Sequence, residues 1–157
     1  MVKKMNNATI NKLNLNIPID QIKLPEGYMP NENEEFMNPM QLAYFRLKLL
    51  DWKNELLGGA TDTIIELSEE SLQKPDIADR AQLEADTSIQ LRTRDRERKL
   101  ISKIDSALRR IEDGSYGYCE DTDEPISLKR LEARPIASLT VDAQEKHERM
   151  EKVHKED

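Results

Sequence analysis

Three groups of side chains in this 157-residue chain have types and spacings suited to chemistry. Asp76 and Asp79 stand three apart beside Pro75. Two jobs fit them. An aspartate caps a helix N-terminus well, and negative charge is favoured there. Exposed carboxylates at the end of a rigid lever can also approach a Mg²⁺ ion or the basic groups of a partner. Spacing alone leaves both open. The second group is a basic band of Arg92, Arg94, Arg96, Arg98, Lys99 and Lys103, interleaved with Asp95 and Glu97. The plainest account is a solvated helix face with intrahelical ion pairs. The alternative is a protein or phosphate contact, because the guanidinium fork matches phosphate oxygens. The third group is Cys119, Thr122, Thr140 and Ala143. Cysteine at all four positions would make CxxC…CxxC, a strong four-thiolate zinc signature. Only Cys119 is a thiol, and His147 and His154 fall outside the pattern. The expectation is therefore that no zinc is bound and that Cys119 is a small buried apolar residue.

These groups need elements to hold them. Residues 1–35 are polar, carry Pro18, Pro25 and Pro30, and show no helical period; they read as an irregular arm, with a short strand or turn at LNLNIPI. At FMNPMQ the character changes. Asn38 is placed to cap, Pro39 suits the first helical position, and Gln41 follows three residues after the cap. Met37 is placed to pack on Leu42. Leu42, Phe45, Leu49, Trp52 and Leu56 alternate three and four apart, which is a coiled-coil seam. Gly58-Gly59 interrupts it, and it resumes one place shifted at Ala60, Ile64 and Leu67, running on to about Gln73 before Lys74-Pro75. A second helix starts near Asp79. Leu83, Ile89 and Leu91 show no clean period, but Ile101, Ile104, Leu108 and Ile111 do. Gly114 is a natural stop. Two long helices joined by so short a connection run antiparallel. The fold class is mainly α: an irregular arm (1–35), a long antiparallel coiled-coil hairpin (36–114) with its tip near 74–80, a small degenerate zinc-ribbon-like module (115–145) and a C-terminal helix (146–157).

Composition narrows the function. Charged residues make up 35% of the chain and aromatics 4%, which suits a thin helical seam better than a thick core. A net charge of −7 argues against non-specific coating of nucleic acid. No apolar run approaches the roughly 20 residues needed to span a bilayer, and MVKKMNNATINK lacks the apolar stretch of a signal peptide. One cysteine excludes an internal disulfide framework, so the cytoplasm is the expected location. No nucleophile motif, CxxC pair or Gly-rich phosphate loop is present, and no enzymatic activity is expected.

The stretches EEFMNPMQLAYFR, DIADRAQLE, RTRDRERKLISKI, YGYCE and RLEARPIASL, in this order over about residues 34–145, resemble the DksA/TraR zinc-finger family of bacterial transcription factors. The resemblance implies a protein that binds RNA polymerase rather than promoter DNA; a monomer is expected. It implies a hairpin entering the polymerase secondary channel, and modulation of open-complex stability together with the alarmone ppGpp. Asp76, Asp79 and Ala81 fall on the family's tip positions. Arg96, Lys103 and Arg134 match positions that help form a ppGpp site at the polymerase interface. Two departures stand out: the zinc positions keep only Cys119, and Gln144 stands where the family often has a lysine of the ppGpp site. Weaker dependence on ppGpp is expected. Two other readings compete. A Gre-type transcript-cleavage accessory also presents an acidic coiled-coil tip, but the order of segments and the tip sequence DIAD differ. A passive coiled-coil adaptor would have a continuous seam, which Gly58-Gly59 breaks.

Overall fold

The structure is a computed structural model that describes residues 18–70 and 76–155, with side chains described except at 60–70 and 78. Among the described residues it contains four α-helices, a 3-10 turn at Ile19–Gln21 and no strand beyond an isolated antiparallel bridge between Tyr118 and Pro125. The helices are α1 (Pro39–Glu70), α2 (Ile77–Asp113), α3 (Leu128–Ala133) and α4 (Val141–Lys155). They divide between a base (residues 18–49 and 107–155) and a hairpin (50–106). The expected strand or turn at LNLNIPI, the last residues of the first helix up to Gln73, and Lys74-Pro75 of the connection lie mostly or wholly outside the described residues.

α1 begins where its capping residues dictate. The Gln41 N–H donates to Asn38 Oδ1 at 3.0 Å, and Leu42 N–H donates to the Asn38 carbonyl at 3.0 Å. The reciprocal half of the capping box is displaced by one residue: Gln41 Oε1 accepts from Met37 N–H at 2.9 Å, not from Asn38. Met37 adopts a positive φ of 50°. Its side chain lies against Gly117, where an added Cβ would come within 2.7 Å of Met37 Cγ. With its own φ of 89°, Gly117 is required there twice over.

α2 starts at Ile77, two residues before the expected Asp79. Asp76 is its cap: Oδ1 accepts from Ile77 N–H at 2.7 Å and the carbonyl from Arg80 N–H at 2.8 Å. At the far end the Ser115 N–H reaches the Arg110 carbonyl at 3.0 Å, the closing bond of a Schellman motif around Gly114 at φ 83°. Asp113 adds bonds from the Ser115 hydroxyl and N–H, which hold its carboxyl below the usual carboxylate range.

The base carries the core. Phe45, Leu49, Ile111, Tyr116, Ile126 and Leu131 are fully shielded. Tyr28, Tyr44, Phe45 and Tyr116 form a run of ring contacts with centroids 5.3–6.1 Å apart. Such edge and tilted contacts add to simple area burial. The Tyr116 hydroxyl donates to the Pro135 carbonyl at 2.7 Å inside this core. Residues 28–41 close over it through one polar knot. Glu34 Oε2 accepts from the Tyr28 hydroxyl at 2.7 Å and from Gln41 Nε2 at 3.1 Å, with Gln41 wholly buried.

The hairpin is thinner. Lys53 Nζ meets Asp105 Oδ1 at 2.6 Å, tying α1 to α2. Trp52 and Leu56 are half-buried and Ile104 fully so, following the expected seam. Toward the tip the structure resolves what the sequence left without a period. Leu83, Thr87, Gln90, Arg94 and Glu97, alternating four and three apart, are the half-buried positions. Ile89 and Leu91 face solvent at 62% and 54% exposure. The heptad persists, but mostly polar residues occupy it.

Candidate functional site

At the start of α2 the side chains of Asp76, Ile77, Asp79, Arg80 and Ala81 are all exposed. Asp76 is engaged as the cap while remaining open to solvent. Asp79 lies in the first turn, where the aligned peptide N–H groups favour a negative charge. Both jobs expected of the pair are therefore compatible: one carboxylate organises the helix start, and both face outward. Ile77, 82% exposed between them, is a large apolar side chain that the sequence reading did not single out. Its place in a DxxD spacing was the only signal for it.

The basic band is mostly a solvent face. Arg92, Arg96, Arg98, Lys99 and Lys103 are exposed, and Arg98 pairs with Asp95 one turn back, as the plain account expects. Arg96 and Lys103 are seven residues apart on α2, two turns along one face, and among the described residues neither has an ion-pair partner. Arg94 departs from the band. It sits in the seam, with Nε and Nη2 buried and unbonded among the described residues. Arg134 belongs to the base, exposed at the C-terminal end of α3. Nearby, Glu132 holds the base together by accepting from the Tyr44 hydroxyl at 2.9 Å and from Lys48 Nζ. That role was not foreseen, since the residues it joins are far apart in sequence.

The module after Gly114 brings its four candidate ligand positions together. Cys119 is buried, and its Sγ accepts from Thr140 N–H at 3.5 Å and the Thr140 hydroxyl at 3.8 Å. Burial pushes the thiol up, but hydrogen bonds from Thr122 and from the backbone at Thr140, Asp121 and Thr122 outweigh it and bring it down to about 7. Thr140 also caps α4, its hydroxyl accepting from Ala143 N–H at 3.4 Å. Ala143 is buried. His147 Nε2 lies 2.5 Å from Asp121 Oδ2, joining α4 to the loop that carries Cys119.

Residues 41–111 match the family description "DnaK suppressor protein DksA, N-terminal domain", and residues 114–149 match "Prokaryotic dksA/traR C4-type zinc finger". The chain belongs to the DksA/TraR family. Among its relatives, the RNA polymerase-binding transcription factor DksA of Caulobacter vibrioides is 60% identical over 130 residues, covering 83% of this chain and 92% of the relative. The protein of the same name from Escherichia coli K12 is 45% identical over 117 residues, covering 74% and 78%. Among solved structures, transcription factor DksA2 of Pseudomonas aeruginosa superposes with a TM-score of 0.69 at 40% identity, covering 74% of this chain and 90% of that one. These relatives are named as transcription factors, which agrees with the expected non-enzyme. No helix among the described residues is long and apolar enough to cross a membrane.

One expectation is overturned. The sequence reading held that zinc is absent, because one ligand position of four is a thiol. The match over 114–149 places this segment in a C4-type zinc-finger family, and zinc is implied for it by descent. The residues of this DksA-type module do not fit that ion as a four-thiolate site. Cys119, two threonine hydroxyls and the Ala143 methyl occupy the four positions, and among the described residues no cluster of three His, Cys, Asp or Glu side chains could hold a metal.

Proposed function

We propose that this chain is a transcription regulator that binds RNA polymerase, inserts its hairpin into the secondary channel and modulates open-complex stability during initiation. The carrying observation is the exposed carboxylate pair Asp76 and Asp79 at the start of α2, on a chain of the DksA family. The relatives' name, RNA polymerase-binding transcription factor, supports the partner. In this reading the base docks on the rim of the channel, and the hairpin carries Asp76, Asp79 and Ala81 toward the active centre and its Mg²⁺. The charge and bulk of the tip then bias an equilibrium between closed and open promoter complexes. Binding shifts such an equilibrium only by its differential affinity for the two states, so promoters with short-lived open complexes respond most. A uniform shift at all promoters would count against the mechanism.

Arg96, Lys103 and Arg134 are assigned to the polymerase interface at which ppGpp acts. Their exposure leaves guanidinium and ammonium groups free for phosphate oxygens. Gln144 supplies no charge, so ppGpp strengthens the effect less than in a relative with lysine there. An undiminished response in a side-by-side titration would refute that. The protein acts as a monomer, in the cytoplasm, without sequence-specific contact to promoter DNA.

The deciding experiment is multi-round transcription with the cognate polymerase at a stable-RNA promoter, with and without ppGpp, comparing the wild type with Asp79→Asn. The substitution removes charge and keeps size. Wild-type inhibition together with a variant that binds polymerase but does not inhibit supports action at the active centre. Failure of both proteins to bind would overturn the reading.

A further inference from the structure

The distal hairpin combines three features that a uniformly stiff coiled coil would avoid. Gly58 and Gly59 sit inside α1, and glycine is the least favourable residue in a helix interior after proline. Among the described residues, a Cβ built on either meets nothing within 4 Å. Neither has a positive φ that would call for glycine. The seam of α2 beyond that level is mostly polar, with Thr87, Gln90, Arg94 and Glu97 beside the single apolar Leu83, whereas Ile89 and Leu91 point outward. Within this seam Gln90 Oε1 and Arg94 Nε and Nη2 are buried without a hydrogen-bond partner among the described residues. Buried polar atoms left unpaired disfavour the closed arrangement.

All three features lie on one side of the same fixed point. Lys53–Asp105 ties the two helices. Gly58 and Gly59 come five and six residues after Lys53, and Arg94 and Gln90 come eleven and fifteen residues before Asp105. Both directions lead to the tip. At the level of Lys53–Asp105 itself the seam is apolar, with Trp52 half-buried and Ile104 fully buried beside the pair.

We propose that the hairpin carries a built-in joint just beyond Lys53–Asp105. The glycine pair makes α1 locally weak, and the unpaired polar seam makes the distal contact between helices easy to open. The segment carrying Asp76 and Asp79 then bends and reseats without unfolding the proximal seam. That the tip uses this freedom on a partner rests on the function proposed above; the joint itself does not.

Amide hydrogen exchange on the full-length protein tests the joint directly. Distal peptides from α1 after Gly59 and from α2 before Glu97 should exchange at least about tenfold faster than proximal peptides over 42–56 and 98–111. Gly58→Ala/Gly59→Ala should slow distal exchange by at least about tenfold, and Gln90→Leu should act in the same direction through the other helix. Equal exchange of distal and proximal peptides in the wild type would overturn the joint, as would distal exchange that neither variant slows. A transcription assay tests its use. The stiffened Ala/Ala variant should keep polymerase binding and lose part of its effect on open-complex lifetime. Slowed exchange with an unchanged lifetime effect would retain the joint and overturn its role at the tip. Loss of effect in Asp79→Asn alone separates that outcome from failure of the functional reading.

Discussion

In the base, Phe45, Leu49, Tyr116, Ile126 and Leu131 are wholly shielded, and four aromatic rings touch in sequence. Between Ile77 and Lys99 on α2, no described side chain is fully buried. One chain therefore contains a region whose stability rests on apolar burial and a region that spends few apolar residues on its own seam. The contrast follows from composition. With aromatics at 4%, a single compact cluster is all the chain can fill, and the aromatic residues with described ring contacts gather in the base. The hairpin is left with helix propensity, a sparse seam and ion pairs. Stability then belongs to the part proposed to dock, and exposure to the part proposed to reach.

The largest effect should come from the base. Phe45→Ala removes a fully buried ring from the centre of the aromatic run and should destabilise by about 3–5 kcal/mol. Denaturant unfolding followed by near-UV circular dichroism would measure it. A loss under about 1 kcal/mol would mean that the base is not where stability lies, and the contrast would fail.

Alkaline pH should separate the regions next. Burial raises the Tyr116 phenol, and Glu132 adds to this against the opposing charge of Arg110. Tyr28 is raised by burial and by its bond to Glu34, and Tyr44 by burial and by Glu132. All three lie in the base. A folded-state pKa above the unfolded value of about 10 means that the contribution is full below that pH and is lost as pH rises through the folded value. The base should therefore weaken above pH ~10, and Tyr116→Phe should flatten the loss. The same variant should cost about 1–3 kcal/mol at neutral pH, because the buried Pro135 carbonyl loses its donor. Trp52, the chain's one tryptophan, reports on the hairpin separately by fluorescence.

The same contrast explains what the sequence made legible. Helix starts and stops are local chemistry, and the expected cap at Asn38 and stop at Gly114 both stand in the structure. The seams at 42–56 and 101–111 were legible because apolar residues occupy their heptad positions. The stretch 83–97 was not, because Thr87, Gln90, Arg94 and Glu97 hold those positions while Ile89 and Leu91 lie outside them. Apolar periodicity reports burial only where apolar residues are what is buried. Residues 28–41 fold over the base through Tyr28, Glu34 and Gln41, a knot of scattered polar residues with no period. At the zinc module, ligand counting and family descent point in different directions, and only comparison with relatives supplied the second.

Smaller effects belong to the hairpin. Lys53→Met removes one partner of an ion pair that is 29% and 45% exposed, so solvent screening limits the loss to about 0.2–1 kcal/mol. Added salt should reduce the difference between variant and wild type. A loss of several kcal/mol, measured by Trp52 fluorescence during unfolding, would show that the hairpin has a stability centre of its own.

The smallest effect on stability should accompany the largest proposed effect on function. Asp79 is exposed and, unlike the capping Asp76, its carboxylate accepts no described hydrogen bond. Asp79→Asn should therefore change unfolding free energy by less than about 0.5 kcal/mol, the range for surface substitutions away from special features. Asp76→Asn should also be nearly silent, since asparagine caps as well as aspartate. Asp76→Ala should cost about 1 kcal/mol through loss of the cap. Comparing the two substitutions at Asp76 in the transcription assay separates charge from structure. If Asn and Ala impair equally, the carboxylate itself is what polymerase reads. If only Ala impairs, Asp76 acts by organising the helix start, and the charge requirement falls on Asp79.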